Sequence, residues 1–405
     1  GEVCEINIGR TPERGNSKNW DKEKKTNNVW LSIADLNNTE NGYISDSTEY
    51  VSNEALPKMK LVKANTLLMS FKLTIGRCAI TAKDLYTNEA IAALPIKEKE
   101  LNLFFLKYYL ENFDWDKLTE GDTKVKGKTL NKEKLNVVPV PVPPLTEQHR
   151  IVAILDQKFA QIDALKTTAQ KNLENTKQLW QSELELRLRS ATNSKTASDE
   201  TFPVGERSRT KWEKVRLGDV CDTCLGKMLD KNKNKGTPQP YLANINVRWG
   251  SFDLDNLSLM KFEDDEDERY GLKYGDLIVC EGGEPGRCAI WKDELPNMKI
   301  QKALHRIRCH KGLNNFFLYY FFLYQTSAEK LQEHFTGTTI KHLPGEKLKN
   351  LNLPLPPLPE QKSIVQHLDL LNEKIKQLQA IYTKQIADCE ELKQSFLQKA
   401  FAASL

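Results

Sequence analysis

Two stretches of the chain repeat one another: PPLTEQHRIV at residues 143–152 and PPLPEQKSIV at residues 356–365, 213 positions further on. Extended by four residues, the two copies agree at nine of fourteen positions. Upstream, the pentapeptide GRCAI stands unchanged at residues 76–80 and 286–290. Both motifs recur at nearly the same distance along the sequence, which predicts an internal duplication. A duplicated chain of 405 residues is expected to fold with pseudo-twofold symmetry.

Each copy of the proline-rich motif precedes a long segment of helical character. From the motif to about residues 190 and 400 the chain contains no glycine and, beyond the motif, no proline. Apolar residues recur there every three or four positions, which predicts two long amphipathic helices. In the second, Ile364, Leu368, Leu371, Ile375 and Leu378 step by four and three and continue to Phe396, the spacing of a coiled-coil seam.

The segments in front of the helices have a different composition. Short apolar runs alternate there with glycines and turn residues, which predicts mixed α/β heads and an α+β fold class overall. Gly1–Glu5 aligns with Gly218–Asp222, so we expect the natural chain to begin before Gly1. The predicted division is a first head at 1–145, a central helix at 146–190, a polar flexible linker at 191–211, a second head at 212–357 and a C-terminal helix at 358–405.

Composition excludes some classes of protein and leaves others open. No apolar run reaches 18 residues and no basic-then-apolar start occurs, so we expect a cytoplasmic protein with no membrane span. The net charge of +4 is too balanced to indicate nucleic-acid binding by itself. Charge is segregated locally, in a basic run at 299–311 and an acidic run at 263–268. The acidic run is most simply a solvated loop, and the alternative is that it meets a basic partner.

Motifs of catalysis and metal binding are missing from the sequence. The loop GDTKVKGKT at 121–129 has five residues between its glycines, where a phosphate-binding loop needs four. Cys221 and Cys224 lack the second pair of a structural zinc site, and we predict that the eight cysteines are reduced thiols and that no metal is bound. No amino-methyltransferase, His-Glu-x-x-His or Gly-x-Ser-x-Gly motif occurs, so the chain is predicted not to be an enzyme.

The duplicated plan resembles the specificity subunit of type I restriction-modification systems. The resemblance covers nearly the whole chain and is carried by the two motif copies, the two GRCAI strands and the ending LKQSFLQKAF at 392–401. It implies that each head is a target recognition domain that reads one half of a split double-stranded DNA sequence. It also implies that the helices pack as an antiparallel coiled coil that spaces the heads and docks two DNA methyltransferase subunits, with restriction subunits as an optional further partner.

The resemblance further implies that S-adenosylmethionine and ATP bind partner subunits only, so that this chain carries no cofactor.

About 42 helical residues, at about 1.5 Å each, span on the order of 60 Å, which exceeds one turn of DNA. Helix length would then set the gap between the half-sites. The predicted helix-packing and partner-contacting residues are Glu147, Gln148, Ile151, Leu155, Glu360, Gln361, Ile364, Leu368, Leu371, Ile375 and Leu378.

Candidate DNA contacts lie in the loops of the heads. A basic loop with threonine recurs at 121–129 and 337–343, and Arg77 and Arg287 stand beside the glycine turns. Lysines of this kind hold phosphate, whereas arginine and glutamine can read base edges. The candidates are Arg77, Lys124, Lys126, Lys128, Lys231, Lys233, Gln239, Arg248, Arg287, Lys341 and His342.

Two other functions remain open at this point. The chain could be a coiled-coil scaffold with two protein-binding heads, and salt-sensitive DNA affinity would separate that reading from DNA recognition. It could also be a nucleotide hydrolase built on Gly127-Lys128-Thr129, which ATP binding by the isolated chain would support.

Overall fold

The computed structural model describes residues 1–119, 130–189, 212–230, 232–310 and 312–402. The chain forms two compact units, one of Gly1–Gln170 with Thr383–Leu405 and the other of Lys171–Tyr382. Each unit therefore combines one head with parts of both long helices. The linker predicted at 191–211 lies outside the described residues.

The first unit is built on two small sheets. A five-stranded sheet has the order β1-β8-β5-β6-β3, and a three-stranded sheet has the order β4-β2-β7. The strands are β1 (Asn7–Ile8), β2 (Val29–Leu31), β3 (Tyr43–Ile44), β4 (Glu49–Tyr50), β5 (Leu67–Ser70), β6 (Cys78–Thr81), β7 (Tyr86–Thr87) and β8 (Ile91–Leu94). The helices are α1 (Leu103–Asn112), α2 (Asp116–Thr119), α3 (Lys132–Asn136) and the long α4 (Leu145–Leu188).

The second unit repeats this plan with longer strands. Its sheets have the orders β10-β18-β15-β16, β14-β11-β17, β12-β13 and β19-β9. The strands are β9 (Glu213–Arg216), β10 (Cys221–Leu225), β11 (Thr237–Leu242), β12 (Val247–Arg248), β13 (Ser251–Phe252), β14 (Ser258–Phe262), β15 (Leu277–Cys280), β16 (Cys288–Ile290), β17 (Lys299–Ile300), β18 (Leu304–Cys309) and β19 (Asn352–Leu355). The helices are α5 (Leu217–Val220), α6 (Asp267–Tyr270), α7 (Asn315–Ser327), α8 (Gly345–Lys349) and the long α9 (Leu358–Ala402).

Strand pairing shows that the duplication is structural. The hairpin β5–β6 pairs Leu67 with Ile80, and the hairpin β15–β16 pairs Leu277 with Ile290, in the same antiparallel register. A parallel pair also recurs at a matching place in the two heads, β2 with β7 and β11 with β17. The prediction of an α+β fold with an internal repeat is confirmed.

The two long helices, of 44 and 45 residues, run antiparallel within each unit. In the first unit, Asp163 and Lys166 of α4 form ion pairs with Lys393 and Glu390 of α9, so the order along one helix is reversed along the other. In the second, Glu183 near the end of α4 lies 3.1 Å from His367 near the start of α9. The predicted antiparallel helices are therefore confirmed.

The described residues contain no helix that combines the length and the apolar character of a membrane span.

The seam of α9 departs from the predicted line after Ile375. Ile364, Leu368 and Ile375 are buried and Leu371 is half-buried, but Leu378 is 37% exposed. Further on, Leu392 is also exposed and Leu397 is buried instead. An α-helix of 3.6 residues per turn drifts by about 20° per heptad from a strict seven-residue repeat, so the buried stripe moves to neighbouring positions.

The end of each long helix completes the core of the head at which the other helix begins. In the first unit, the ring of Phe401 packs 5.4 Å from that of Phe105 on the aromatic helix α1. In the second unit, Trp180 packs 6.0 Å from Tyr320 on α7, and Leu184 is buried in the same core. Burial of Phe401 and Leu184 fixes the end of each helix to the head of its own unit.

Candidate nucleic-acid interface

A buried glutamine joins head to helix in each copy of the proline-rich motif. The Gln148 side-chain carbonyl accepts a hydrogen bond from the Asn102 backbone N–H (2.7 Å), and its amide donates to the carbonyls of Glu100 and Pro143 (both 2.7 Å). Gln148 is 0% exposed, so all three bonds are shielded from water. The motif thus binds the loop that leads into the aromatic helix of the head.

Gln361 repeats these contacts in the second unit. It accepts from the Asn314 N–H at 2.7 Å and donates to the carbonyls of Gly312 (2.9 Å) and Pro356 (2.7 Å). The neighbouring glutamates, Glu147 and Glu360, are both half-buried, and Glu147 forms an ion pair with Arg150 at 2.6 Å. Within the repeated Glu-Gln pair, it is therefore the glutamine that makes the same hydrogen bonds in both units.

A second duplicated contact lies two turns further along each helix. The Tyr108 hydroxyl donates to Asp156, and the Tyr320 hydroxyl donates to Asp369. Burial, together with the bond to the carboxylate, raises the pKa of both tyrosines well above its usual range. Apolar packing by Ile151 and Leu155 in one unit, and by Ile364 and Leu368 in the other, surrounds these bonds. Each head is held to its helix at two fixed points.

A tight turn joins two central strands in the first head. In the turn between β5 and β6, the Gly76 N–H donates to the Ser70 carbonyl at 2.9 Å. The Arg77 guanidinium donates to the Asn37 side-chain oxygen at 2.8 Å. At the tip, Leu73 has the left-handed φ of +64° and is 62% exposed. The turn therefore presents a large apolar side chain to solvent, on backbone that only glycine adopts without strain.

The second head has the same turn with a different side-chain network. The Gly286 N–H donates to the Cys280 carbonyl at 3.0 Å, as in the first copy. Arg287 forms an ion pair with Glu284 at 2.8 Å and donates to the Asn244 carbonyl at 3.0 Å. The Trp249 indole N–H donates to Glu284 at 2.8 Å. Arg287 is thus committed to holding the turn together.

The basic loop of the second head lies against this turn. Thr336 and His342 exchange backbone hydrogen bonds of 2.8 and 2.9 Å, which closes a small hairpin with Lys341 and His342 exposed. The Leu343 N–H then donates to the Glu281 carbonyl at 2.7 Å. A cavity of about 540 Å³ opens between turn and loop; its lining includes Glu284, Pro285, Phe335, Ile340 and Lys341.

The first head shows the same junction at the edge of its described residues. The Leu130 N–H donates to the Phe71 carbonyl at 3.0 Å, the counterpart of the bond between Leu343 and Glu281. Of the predicted DNA contacts, Lys124, Lys126, Lys128 and Lys231 lie outside the described residues.

The remaining candidates separate into two groups. Arg287, Lys341 and His342 meet at the turn and loop, and exposed Arg248 adjoins Trp249 of the same network and pairs with Asp253 at 3.1 Å. Within the described part of the chain, Gln239 and Lys233 share no hydrogen bond or ion pair with that network. Gln239 lies in β11, and its buried side-chain carbonyl has no hydrogen-bond partner among the described residues; Lys233 is exposed and lies 3.8 Å from Asp230.

The segregated charges of the second head largely neutralise one another. Lys299, which is 2% exposed, pairs with Asp267 at 2.7 Å, and Lys227 pairs with Glu266. Arg308 pairs with buried Asp276 at 2.7 Å. The basic run at 299–311 is largely strand, and the acidic run at 263–268 supplies Asp267 as the partner of Lys299 and Glu266 as the partner of Lys227. The acidic run is mainly exposed, as expected of a solvated segment, and it also meets basic partners, the alternative that the sequence left open.

Three members of the turn network were missed by sequence reasoning. No catalytic or binding motif marks these three residues, which are Asn244, Trp249 and Glu284. A signal was available for Glu284 alone, because it stands inside the repeated turn before GRCAI. Asn244 and Trp249 reach that turn only through the pairing of distant strands.

The comparisons with known proteins agree with this duplicated plan. A family model, the type I restriction modification DNA specificity domain, matches residues 1–175 and again residues 209–384. The chain is 24% identical to the type I restriction enzyme EcoBI specificity subunit of Escherichia coli over 78% of this chain and 69% of that protein. It is 25% identical to the EcoKI specificity subunit of Escherichia coli strain K12 over 69% of this chain and 61% of that protein.

Two solved structures share the fold. A chain from a study of complex assembly and conformational transition of the type I R-M system superposes with a TM-score of 0.70 at 19% identity, covering 100% of this chain and 97% of that one. The HsdS subunit from Thermoanaerobacter tengcongensis gives a TM-score of 0.58 at 18% identity, covering 100% and 95%. Because the family model matches both copies and most of the chain, the protein belongs to the type I restriction-modification DNA specificity family.

Proposed function

We propose that this chain is a non-catalytic specificity subunit whose two heads each read one half of a bipartite double-stranded DNA sequence. The duplicated glutamine junction at Gln148 and Gln361 carries this proposal. Two readers, each fixed in the same way to the start of a long helix, match a target that consists of two half-sites. The differences between the heads lie in their turns and loops, as two unlike half-sites demand.

Within each head, the turn and the basic loop form the proposed reading surface. Lys341 and His342 are exposed there and can contact phosphates, which position a protein on DNA without selecting a sequence. Arg287 is only 17% exposed and serves the turn, so direct base contact falls to exposed groups beside it such as Arg248. In the first head we assign phosphate contacts to Lys124, Lys126 and Lys128, and we place Arg77 in the role of Arg287.

The long helices are proposed to set the gap between half-sites and to dock two methyltransferase subunits. Leu165 on α4 and Leu378 on α9 are counterparts at the 213-residue offset, and they are 62% and 37% exposed. Leu179 and Leu392 are a second such pair, at 46% and 44%. Duplicated apolar positions on the outer faces of the helices suit two copies of one partner.

Partner subunits are proposed to supply the chemistry. S-adenosylmethionine and ATP would bind there and not on this chain, and a restriction subunit would be an optional addition to the complex. The cytoplasm, where the DNA of a prokaryotic cell is accessible, is the proposed location.

Exchange of one head tests the proposal. Replacing residues 1–145 by the head of another family member, in a complex with methyltransferase subunits, is expected to change one half of the methylated sequence and leave the other unchanged. Mapping of methylated bases across a genome gives the readout. Change or loss of both halves would contradict the assignment of one half-site to each head.

A salt titration of DNA affinity is the companion measurement. Phosphate contacts release counterions, so the binding constant of the complex should fall steeply as salt rises. A chain that acts as a protein-binding scaffold would show no such slope.

A further inference from the structure

Two cysteines of the second head face each other across adjacent strands. Cys221 begins β10 and Cys309 ends β18, and the antiparallel register places them directly opposite. Their sulfur atoms lie 3.7 Å apart. Cys221 is 3% exposed, whereas Cys309 is partly exposed and can be reached by a small molecule.

The backbone around this pair has the geometry of a disulfide site. The His310 N–H donates to the Val220 carbonyl at 3.0 Å, so this hydrogen bond lies just outside the cysteine pair. Cys221 and Cys309 therefore form a non-hydrogen-bonded pair, whose Cα atoms lie about 4.5 Å apart in antiparallel sheets. Disulfides bridge Cα separations of about 4.4 to 6.8 Å. A change of side-chain torsion, with little movement of the strands, can bring the sulfurs into bonding distance.

We propose that Cys221 and Cys309 are a thiol–disulfide pair that a low-molecular-weight disulfide such as oxidised glutathione closes reversibly. The thiolate of Cys309 attacks one sulfur of the oxidant, which forms a mixed disulfide and releases one glutathione as its thiol. The thiolate of Cys221 then attacks the Cys309 sulfur and releases the second glutathione. Two electrons pass from the cysteines to the oxidant, and the two cysteine protons end on the released thiols.

The direction of attack follows from the surroundings of the two thiols. Cys309 is the accessible one and takes the first step. The hydrogen bond to Cys309 and burial raise the pKa of Cys221 well above its usual range, which keeps Cys221 protonated until the mixed disulfide brings a bonding partner next to it. Closure ties β10, the edge strand of its sheet, covalently to β18.

The duplication supplies an internal control. Cys4, the counterpart of Cys221, faces Ile96 across the equivalent bridge in the first head. Only the second head can therefore close this bond. Cys224, on the same strand as Cys221, lies opposite Arg306 and therefore has no thiol directly across from it.

The test is thiol mapping on the full native chain. The protein is incubated in glutathione buffers of increasing oxidising potential, remaining thiols are alkylated after rapid denaturation, and digested peptides are analysed by mass spectrometry. A Cys224→Ser background removes the neighbouring thiol, which would otherwise share a peptide with Cys221. We expect a Cys221–Cys309 crosslink that reduction reverses and that Cys309→Ser abolishes, while Cys4 remains alkylated.

A gain-of-function variant keeps the proposal falsifiable. Ile96→Cys builds the same pair in the first head and is expected to give a second crosslink, to Cys4. The proposal is overturned if Cys221 and Cys309 both stay alkylated across the potential series, or if Cys309 retains glutathione without transfer to Cys221. Circular dichroism before and after oxidation verifies that the chain is folded when the disulfide closes. A disulfide that forms only after unfolding would also refute the proposal.

Discussion

At the scale of single residues, the buried glutamines explain why the same dipeptide stands at both junctions. A glutamine side chain offers one acceptor and two donors, and Gln361, which is 0% exposed, uses all three on backbone groups. Glutamate would lose both donors, and asparagine is shorter by one methylene group. The residue type is thereby set by three backbone atoms that come from two separate segments.

Replacement of Gln361 by methionine keeps the volume of the side chain and removes its hydrogen bonds. The Asn314 N–H and two carbonyls would remain buried without partners, so we expect a loss of about 3 kcal/mol in the free energy of unfolding. Gln148→Met should cost a similar amount. Exposed Gln157→Met is the control, expected to stay within about 0.5 kcal/mol. Urea denaturation measures all three; equal midpoints for Gln361→Met and the control would contradict the role of the junction.

Leu73 occupies a backbone conformation that its counterpart fills with glycine. Gly283 has φ of +73°, and a Cβ there would lie 2.5 Å from the Asn244 side-chain nitrogen. We expect Leu73→Gly to leave stability unchanged or raise it by up to about 1 kcal/mol, because relief of strain offsets the added chain entropy.

The reverse change in the second head should behave oppositely. Gly283→Leu combines an unfavourable φ with a collision, and we expect it to lower the free energy of unfolding by about 2 kcal/mol or more. Thermal unfolding of the two variants decides the matter. A marked destabilisation by Leu73→Gly would mean that the exposed leucine makes contacts that outweigh its strain.

At the scale of elements, the sequence predicts best what depends on local order. The long helices follow from periodicity that continues over more than ten turns, and the glycine turns follow from GRCAI and its flanks. Strands of two residues, such as β1 and β3, carry no such periodicity. Lys299 and Asp267 belong to a basic and an acidic run of the sequence, each of which has the composition of a surface segment. Only the tertiary fold brings these two residues together as an ion pair.

Prediction of the candidate interface is limited in the same way. Arg287, Lys341 and His342 could be named because they stand in repeated motifs, yet the partnership of Arg287 with Glu284 shows that an arginine beside a turn can serve the turn itself. Gln239 has the right residue type for base reading and lies in a strand with a buried carbonyl. Residue type gives the chemistry, and strand pairing decides whether the side chain is available.

The end of α9 is expected to stabilise the first head and not the second. Phe401 is 2% exposed between Phe105 and Tyr109, so Phe401→Ala should cost about 3 to 5 kcal/mol. Hydrogen exchange should accelerate in α1 and remain unchanged in α7. Leu392→Ala, at an exposed position of the same helix, is the matched control. Equal acceleration in both aromatic helices would show that the core contacts of Phe401 are not confined to its unit.

At the scale of the whole molecule, the proposed ruler function makes a quantitative prediction. Insertion of seven residues after Gln170 and seven after Tyr382 preserves the heptad phase and lengthens both helices by about 10 Å at about 1.5 Å per residue. We expect the gap between methylated half-sites to grow by about three base pairs at about 3.4 Å each. Insertion into α4 alone, which breaks the match between the helices, is the control. A gap that stays constant in the double insertion would refute the ruler.

The division of the chain into units also determines the order in which they can be completed. The second unit is one continuous segment, Lys171–Tyr382, whereas the first needs Thr383–Leu405 in addition to Gly1–Gln170. During synthesis from the N-terminus, the head made first must therefore wait for Leu397 and Phe401 before its core is closed, and the head made second can be finished earlier. The first head is therefore expected to close its core after the second, although its own residues are synthesised earlier.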